Sequence, residues 1–534
     1  MTREFGDFQT NPQFAEKVCK LLAKIEVNPE YVIEPTCGEG NFIIASIKNF
    51  NGVKKIVGVE LQEHYVTKAK NNLKNIEKIE NKHYQDISII KDDIFIHKFD
   101  NYLFDKNREL LLIGNPPWVT NSELEGKNLP KKSNFKKANG IDAITGKANF
   151  DISEYILLHL LKTFKGLNGH FAFLCKTQVA RNIMHFLPAT DFTASDFRIY
   201  LFNAKKEFNV IVNACLFVCR LSGRKQRQGF QCSVYDIENP DAELKKIGWF
   251  EGKFVSNIEK YKRIKEFEGK SQIIWRSGIK HDCSKVMELN ICNDIGLKNG
   301  HNEILSIEED IVYPLLKSSN IKGVIVNNSK KKIIVTQKKP GEETKYISER
   351  FPNLWKYLNS HKEDFEKRKS IIYKNNPDFS IFGVGDYSFK RYKIAVSGLY
   401  KNPNFSLLLP EKNKTLMVDD SCYFIGFDKI NYALILLATL NSQKVKDYLD
   451  SIVFIDAKRP YTKEVLMRID LLKVMRSIGY EGIIEYLKSN KLNFKEVTRD
   501  DFLSLEQQLI KEGGSFLSFR ERCAKNQSSL RLRN

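Results

Sequence analysis

The sequence predicts two domains: an α/β domain with a mainly parallel, seven-stranded sheet over residues 1–240, and a mixed α+β domain over residues 241–534. Three observations support this prediction. The chain has 534 residues, which is more than one hydrophobic core normally serves. Short strand-like runs alternate with helical patterns up to about residue 220, and beyond about residue 240 that alternation is gone.

The strand-like runs of the first half are apolar and rich in β-branched and aromatic residues. They lie at Tyr31–Glu34, Lys55–Glu60, Ile87–Asp92, Glu109–Ile113, Gly169–Lys176, Phe197–Phe202 and Val210–Arg220. Because strands that alternate with helices usually pair in parallel, these runs should form one sheet covered by helices on both faces. The last two runs are joined by a short connection, so we expect them to close the sheet as an antiparallel pair.

The second half mixes aromatic, lysine-rich and asparagine-rich segments, and a polar stretch at 222–229 precedes it. Helices are expected at Tyr432–Leu449 and Asp501–Lys511. The longest apolar run, Tyr432–Leu440, is too short to span a bilayer, and the N-terminus lacks the pattern of a signal peptide. We therefore expect a cytoplasmic protein without a membrane segment.

The composition is basic, with 85 Lys and Arg against 65 Asp and Glu and a formal charge of +20. Such a surplus attracts polyanions through counterion release, so nucleic acid is the first partner to consider. A generally basic surface is an equally good explanation of the charge alone. The 10 cysteines show no paired C-x-x-C spacing, so neither a disulfide framework nor a metal site is expected.

A glycine-containing turn follows the first strand, in the stretch Tyr31–Phe42. Gly38 and Gly40 would allow the backbone to approach a ligand closely. Glu60 ends the next strand, where a carboxylate can accept hydrogen bonds from both hydroxyls of a ribose. Together these features indicate a nucleoside-containing cofactor, although a G-x-G turn by itself also occurs as an ordinary tight turn.

The run Gly114–Trp118, Gly-Asn-Pro-Pro-Trp, directly follows the apolar strand 110–113. At the carboxyl end of a strand it lies where open α/β sheets bind ligands. The Asn115 amide oxygen and the Pro116 carbonyl can together accept both hydrogens of an amino group, and Pro117 stiffens the loop. Trp118 offers a face on which a base can stack. The alternative is a rigid turn above a buried Trp.

On these motifs the chain resembles the gamma-type amino-methyltransferases of DNA, in which cofactor motifs precede an Asn-Pro-Pro-aromatic motif and a target-recognition domain follows. The resemblance implies a Rossmann-like fold that binds S-adenosylmethionine and methylates N6 of an adenine flipped out of duplex DNA. It also implies a type II restriction-modification system with a separate restriction endonuclease, and we expect a monomer. The sequence contains no Pro-Cys dipeptide, so the nucleophile of a cytosine-C5 methyltransferase is missing.

The resemblance further assigns site residues. Those implied to contact the cofactor are Phe8, Thr10, Glu34, Thr36, Cys37, Gly38, Gly40, Glu60, Asp93, Ile94 and Asn115. Among them, Glu60 would hold the ribose and Asp93 with Ile94 the adenine, and Asp92 competes with Asp93 for that role. The implied catalytic residues are Asn115, Pro116, Pro117 and Trp118.

A second aromatic ring is expected against the flipped base, and Phe208, in the segment Glu207–Asn209, is its candidate. Phe208 is equally well explained as a core residue. Tyr155 and Ile156 are weaker candidates for the walls of the cofactor's adenine pocket.

DNA contacts are expected from basic residues in two places. Lys131 and Lys132 belong to a long insert, Asn121–Asp151, which either closes over DNA or cofactor or is a solvated loop. In the second half three segments resemble a target-recognition region: Tyr313–Lys317, Asp420–Phe424 and Lys458–Lys463. The candidates there are Arg391, Lys393, Lys458 and Arg459, for each of which a solvated surface role is the alternative.

Other functions remain open at this point. The same pocket could present an RNA adenine, the amino group of a DNA cytosine, or a glutamine side chain of a protein. A regulator that binds DNA on an inactive methyltransferase scaffold is a further alternative, which the intact cofactor and Asn-Pro-Pro-Trp motifs disfavour.

Overall fold

The computed structural model describes residues 8–80, 86–99, 108–119, 151–222, 229–292, 296–492 and 495–513. The chain divides into two compact units, Met1–Glu259 and Lys260–Asn534. The first unit thus extends beyond residue 240, where the sequence pattern changes, because a hairpin that crosses this position belongs to its sheet.

The first unit contains the following elements in chain order: α1 (Pro12–Lys24), β1 (Tyr31–Glu34), α2 (Asn41–Asn49), β2 (Lys55–Glu60), α3 (Glu63–Glu80), β3 (Ile87–Lys91), β4 (Leu110–Gly114), α4 (Ile152–Thr163), β5 (Gly169–Lys176), α5 (Thr177–Phe186), β6 (Ala194–Asn203), α6 (Ala204–Phe208), β7 (Asn213–Leu221), β8 (Gln231–Asp236), β9 (Asn239–Phe250) and β10 (Lys253–Val255).

The described strands of this unit form one ten-stranded sheet in the order β10-β9-β8-β6-β7-β5-β4-β1-β2-β3. Strands β3, β2, β1, β4 and β5 are parallel, and β7 runs antiparallel to both β5 and β6. The seven predicted strands and the antiparallel closing pair are therefore confirmed. The prediction missed β8 to β10, which cover the edge that β6 would otherwise expose.

The middle strands are buried because helices cover both faces of the sheet. All five residues of β4 are buried. Val32, Leu111 and Ala172 share one face, and they belong to a core cluster with Phe14 of α1 and Phe42 of α2. This packing holds the carboxyl ends of β1, β2 and β4 side by side.

The elements of the second unit follow, with α7 containing the boundary between the units: α7 (Ile258–Ile264), β11 (Arg276–Ser277), α8 (Ser284–Met287), β12 (Glu288–Cys292), β13 (Gly296–Lys298), β14 (Ile304–Leu305), β15 (Val312–Leu316), β16 (Ile325–Val326), β17 (Lys331–Ile334), α9 (Tyr346–Arg350), α10 (Pro352–Ser360), α11 (Lys362–Glu366), β18 (Tyr392–Ser397), β19 (Ser406–Leu408), β20 (Met417–Val418), β21 (Cys422–Phe427), α12 (Ile430–Leu440), α13 (Gln443–Ile452), α14 (Lys463–Leu466) and α15 (Leu471–Ser489), with residues 499–513 also helical.

The second unit is α+β, as predicted. Its described strands form a five-stranded sheet, β11-β21-β18-β19-β16, and a six-stranded sheet, β14-β13-β12-β17-β15-β20. The helix predicted at 432–449 is interrupted between α12 and α13, because the Ser442 side chain caps α13 by accepting from the Val445 amide. Within the described ranges, no helix has both the length and the apolar character needed to cross a membrane.

Candidate active site

The glycine turn after β1 is held in place by short backbone hydrogen bonds. The Cys37 amide donates to the Val59 carbonyl at 2.8 Å, and the Gly40 amide donates to the Cys37 carbonyl at 2.7 Å. Gly38 and Gly40 have φ angles of +48° and +77°, in the left-handed region that favours glycine. The turn thus places its backbone directly above the ends of β1 and β2.

The Glu60 carboxylate is fixed by the same turn. Its Oε2 accepts from the Gly38 amide at 2.9 Å, and its Oε1 accepts from the Gln62 amide at 2.8 Å. The side chain is largely buried at the end of β2. Its orientation is therefore set by the backbone on both sides, as a rigid acceptor for a ligand requires.

Two buried polar atoms on the same loop, Glu34 Oε2 and Thr36 Oγ1, have no hydrogen-bond partner within the described part of the chain. Burial, with the nearby charge of Glu60, raises the pKa of Glu34 well above its ordinary value. The neutral carboxylic acid is therefore favoured at this position. Unsatisfied polar atoms in a buried loop are costly, and they mark a place where a polar ligand can bind.

Asn115 lies just beyond β4 and is held by the N-terminal segment. Its Nδ2 donates to the Phe8 carbonyl at 2.9 Å and to Thr10 Oγ1 at 3.2 Å. That segment is itself fixed, since Asn41 Nδ2 donates to the Thr10 carbonyl at 2.8 Å. The Asn115 Oδ1 atom is buried and has no partner among the described residues. The amide is thus oriented with its acceptor oxygen unused.

The predicted stacking rings of Trp118 and Phe208 lie against each other. Their centroids are 5.2 Å apart with the rings 62° from parallel, and Phe8 lies 6.1 Å from Trp118. Trp118 is buried, and its Nε1 donates to the Leu174 carbonyl. Phe208 ends the short helix α6 between β6 and β7. A planar base could enter between these rings only if they moved apart.

The two competing carboxylates after β3 have different surroundings. Asp92 Oδ1 accepts from the Asp93 amide at 2.8 Å and Oδ2 contacts His97 Nδ1 at 2.7 Å. The hydrogen bond with His97 lowers the pKa of Asp92. Asp93 uses Oδ1 to accept from the Phe95 amide. Asp92 is thus paired with the His97 side chain, whereas Asp93, like Glu60, is held by a backbone amide, and this difference favours Asp93 for a ligand.

The predicted walls of the adenine pocket lie close to this turn. Ile94 and Ile156 are buried, and the Tyr155 ring centroid lies 4.9 Å from that of Phe95. The structure thus brings Tyr155 and the segment after β3 together.

Lys176, at the end of β5, is a site residue that sequence analysis missed. Its Nζ donates to the Trp118 carbonyl at 3.0 Å and pairs with the buried Asp151 at 2.6 Å. The Ile152 amide also donates to the Val119 carbonyl at 2.9 Å. The loop after β4 is therefore tied to the start of α4. The only sequence signal was a charge that ends an apolar strand.

The candidates for DNA contact do not share one environment. Lys131 and Lys132 lie outside the described residues. Arg391 and Lys458 are exposed. The Arg459 side chain is held by the turn at Asp420, because its Nη1 donates to the Asp420 carbonyl at 2.8 Å.

Lys393 does not fit its predicted contact with DNA. It lies on β18 with its side chain only 1% exposed, and its Nζ donates to the Lys390 carbonyl and to Thr415 Oγ1. Burial lowers the pKa of Lys393 to about 7. Every residue of β18 from Lys393 onward is buried, so both faces of this strand are covered, and basic composition alone does not reveal that.

The model of the N-6 DNA methylase family matches residues 2–180. The chain is also 41% identical over 475 residues to the type II methyltransferase M.NspV of Nostoc sp., an alignment that covers 88% of this chain and 96% of that relative. This chain belongs to the type II DNA methyltransferases.

The methyltransferase thus acts with S-adenosylmethionine and serves a restriction-modification system. Its fold is similar to that of the type IIL restriction-modification enzyme MmeI, which was solved in complex with DNA. The match covers 95% of this chain and 73% of the MmeI chain, with a TM-score of 0.55 and 13% sequence identity. The predictions of a methyltransferase fold and of its cofactor are confirmed.

Proposed function

We propose that the methyltransferase transfers a methyl group to the N6 amino group of an adenine flipped out of duplex DNA. It would act in the cytoplasm as a monomer and protect host DNA from a separate restriction endonuclease. The observation that carries this proposal is the Asn115 side chain, whose Nδ2 is held by Phe8 and Thr10 while its buried Oδ1 has no partner among the described residues.

The residues around the glycine turn fit S-adenosylmethionine, which when bound supplies an electrophilic methyl group. Glu60 would accept from the ribose hydroxyls, since its carboxylate is already fixed by two backbone amides. Thr36 Oγ1 and Glu34 Oε2, which lack partners among the described residues, would serve polar groups near the methionine end. Asp93 and Ile94 would hold the adenine. The backbone of the glycine turn, with Cys37, would lie along the cofactor.

The catalytic loop would act on the amino group of the target base. Asn115 Oδ1 and the Pro116 carbonyl would each accept one of its hydrogens, which withdraws the nitrogen lone pair from the ring and directs it outward. Pro117 stiffens the loop and adds no competing backbone donor. A proton leaves the nitrogen once it has gained the methyl group.

The base itself would stack on Trp118, with Phe208 on its other side. Because these rings are in contact in this structure, binding of the base would separate them. The cost of unstacking a base from DNA is a few kcal/mol, and the aromatic contacts would offset part of it.

The match to an N-6 DNA methylase model over the part of the chain that holds the pocket favours adenine in DNA over the other amino acceptors. The pocket's two acceptors would also suit the amino group of cytosine, an RNA adenine or a glutamine side chain. A non-catalytic regulator is disfavoured by the organised surroundings of Glu60 and Asn115.

The test is incubation of purified protein with tritiated S-adenosylmethionine and mixed-sequence duplex DNA, followed by nucleoside analysis. We expect label in N6-methyladenine. Asn115→Ala should lower kcat by about 100-fold or more, because one of two acceptors at the reacting group is lost. Asn75→Ala, the same substitution at an exposed position of α3, is the matched control and should leave the rate unchanged.

Other outcomes would redirect the proposal. Label in 4-methylcytosine would keep the role of Asn115 but replace the target base. Cofactor binding without DNA label would contradict methylation of DNA and direct the assay to RNA and protein substrates. Full activity of Asn115→Ala would overturn the assignment of the catalytic loop.

A further inference from the structure

Three potential metal ligands meet in the second unit, in residues that the proposed methyl transfer does not use. They are His301, His361 and Asp364, and each offers one ligand atom within 4.8 Å of the others. His301 Nε2 lies 3.0 Å from Asp364 Oδ2, and His361 Nδ1 lies 3.7 Å from the same oxygen. Two imidazoles and a carboxylate thus lie close enough together to share one ion.

The spacing of these atoms matches what a zinc-like ion requires. Zinc binds His nitrogen and carboxylate oxygen at about 2.0–2.2 Å, so tetrahedral ligands lie about 3.3 Å from one another. The separations from Asp364 to the two histidines, 3.0 and 3.7 Å, bracket that value, and the two imidazole nitrogens lie within 4.8 Å of each other. Only small side-chain shifts would be needed to place all three atoms on one ion.

Glu303 orients one of the imidazoles. Its Oε2 lies 2.8 Å from His361 Nε2 and accepts from Asn299 Nδ2 at 2.6 Å. A carboxylate at Nε2 favours the proton on that nitrogen, so the Nδ1 lone pair faces Asp364. A carboxylate behind a ligand histidine is the usual outer-shell partner of a metal site.

Hydrogen bonds hold the two backbone segments that carry these ligands. Asn299 is buried in the hairpin between β13 and β14, and its Oδ1 accepts from the amides of His301 and Glu303. His361 joins α10 to α11, and the Asp364 amide donates to the His361 carbonyl. The cluster therefore connects a β-hairpin to a helical turn that lies about 60 residues further along the chain.

We propose that His301, His361 and Asp364 bind a divalent transition metal of the zinc class, with water as the remaining ligand. The ion would act as a structural link between the hairpin and the α10–α11 junction. Its charge would be compensated by Asp364 directly and by Glu303 through His361. This inference rests on the second unit alone and does not depend on the proposed methyl transfer.

The same residues could instead form only a network of His-carboxylate hydrogen bonds. Zinc titration of the full-length, chelator-treated protein against a chromophoric competitor separates the two possibilities. We expect one zinc bound per chain, with at least a tenfold loss of affinity in His301→Ala and in Asp364→Asn. Glu303→Gln should weaken binding by about tenfold while leaving the three ligands intact. Co²⁺ in place of zinc should give the visible absorption of a low-symmetry, four-coordinate ion.

The matched control is His64→Ala, which removes an exposed histidine from α3 in the first unit. It should bind zinc as the unmodified protein does. Thermal unfolding without metal should be similar for His301→Ala and the unmodified protein, since His301 is partly exposed, and added zinc should raise the transition temperature of the unmodified protein only. Equal zinc affinity in His301→Ala, Asp364→Asn and His64→Ala would overturn the proposal, as would the absence of zinc binding.

Discussion

The active-site end of the first sheet and the basic residues of the second unit use their polar groups in different ways. At the active site, Asn115 and Glu60 are held rigidly by backbone and side-chain partners, and Asn115 Oδ1 remains without one in the described chain. In the second unit, Lys393 and Arg459 donate to neighbouring residues of the same unit. Lys317 and Lys331 likewise pair with the buried Glu288.

This difference shows why the sequence is more informative about the first set of residues than about the second. Several buried polar atoms without partners at one site, here on Glu34, Thr36 and Asn115, indicate a place where a ligand can bind, since leaving them unsatisfied costs stability. A lysine or arginine in a basic chain carries no such information until its surroundings are known. The contrast predicts four effects, of which the largest on activity is the loss of kcat in Asn115→Ala.

The largest effect on stability is expected at Glu288. Burial raises the pKa of this carboxyl, but hydrogen bonds with His281, Lys317 and Lys331 outweigh it and lower the pKa to about 2. Glu288→Gln should therefore lower the free energy of unfolding by about 3 kcal/mol at pH 7, measured by urea denaturation.

The pH dependence follows from the direction of that shift. The folded-state pKa lies below the ordinary value of 4.5, so the stabilisation is complete above about pH 5 and is lost as pH falls towards 2. The two proteins should thus become similar in stability only near pH 2 and below. Glu309→Gln is the matched control, since Glu309 pairs with Lys332 at the surface and should cost less than about 1 kcal/mol. Equal losses in both variants would show that Glu288 is not the stabilising centre of its network.

An intermediate effect is expected at Lys176. Lys176→Met removes the hydrogen bond to the Trp118 carbonyl and the ion pair with Asp151, so the catalytic loop should be less well positioned. We expect kcat to fall by about tenfold with cofactor affinity unchanged, as measured by steady-state kinetics and calorimetry. Lys162→Met, on the exposed face of α4, should retain full activity. A loss of cofactor affinity without a change in kcat would contradict this positioning role.

The smallest effect is expected in DNA binding. If the exposed Lys458 contacts a phosphate, Lys458→Met should weaken DNA binding a few-fold and reduce the salt dependence by about one counterion. Lys393→Met, at a buried position, should leave both quantities unchanged. Fluorescence anisotropy over a series of salt concentrations measures them. An equal effect of both substitutions would mean that Lys393 reaches DNA, and the contrast drawn above would fail.

Most of the first unit could be predicted from sequence because its signals are local. The seven strands are short apolar runs with clear periodicity, and the Gly38–Gly40 turn and the Asn115–Trp118 loop follow their strands directly. Their meeting at one edge follows from parallel pairing of β1, β2 and β4. The sequence by itself thus determined the fold class and the positions of the Gly38–Gly40 turn and the Asn115–Trp118 loop.

Tertiary structure decided what depends on burial and on contacts between distant residues. In the folded structure, Asp92 pairs with His97 and Lys393 is buried. Lys176 donates to the Trp118 carbonyl, and β8–β10 extend the sheet. Tertiary structure also brought His301 to His361 and Asp364, although the sequence predicted no metal site. The physical reason is that a side chain's charge, partners and exposure are set by the residues packed around it, and these come from remote parts of the chain.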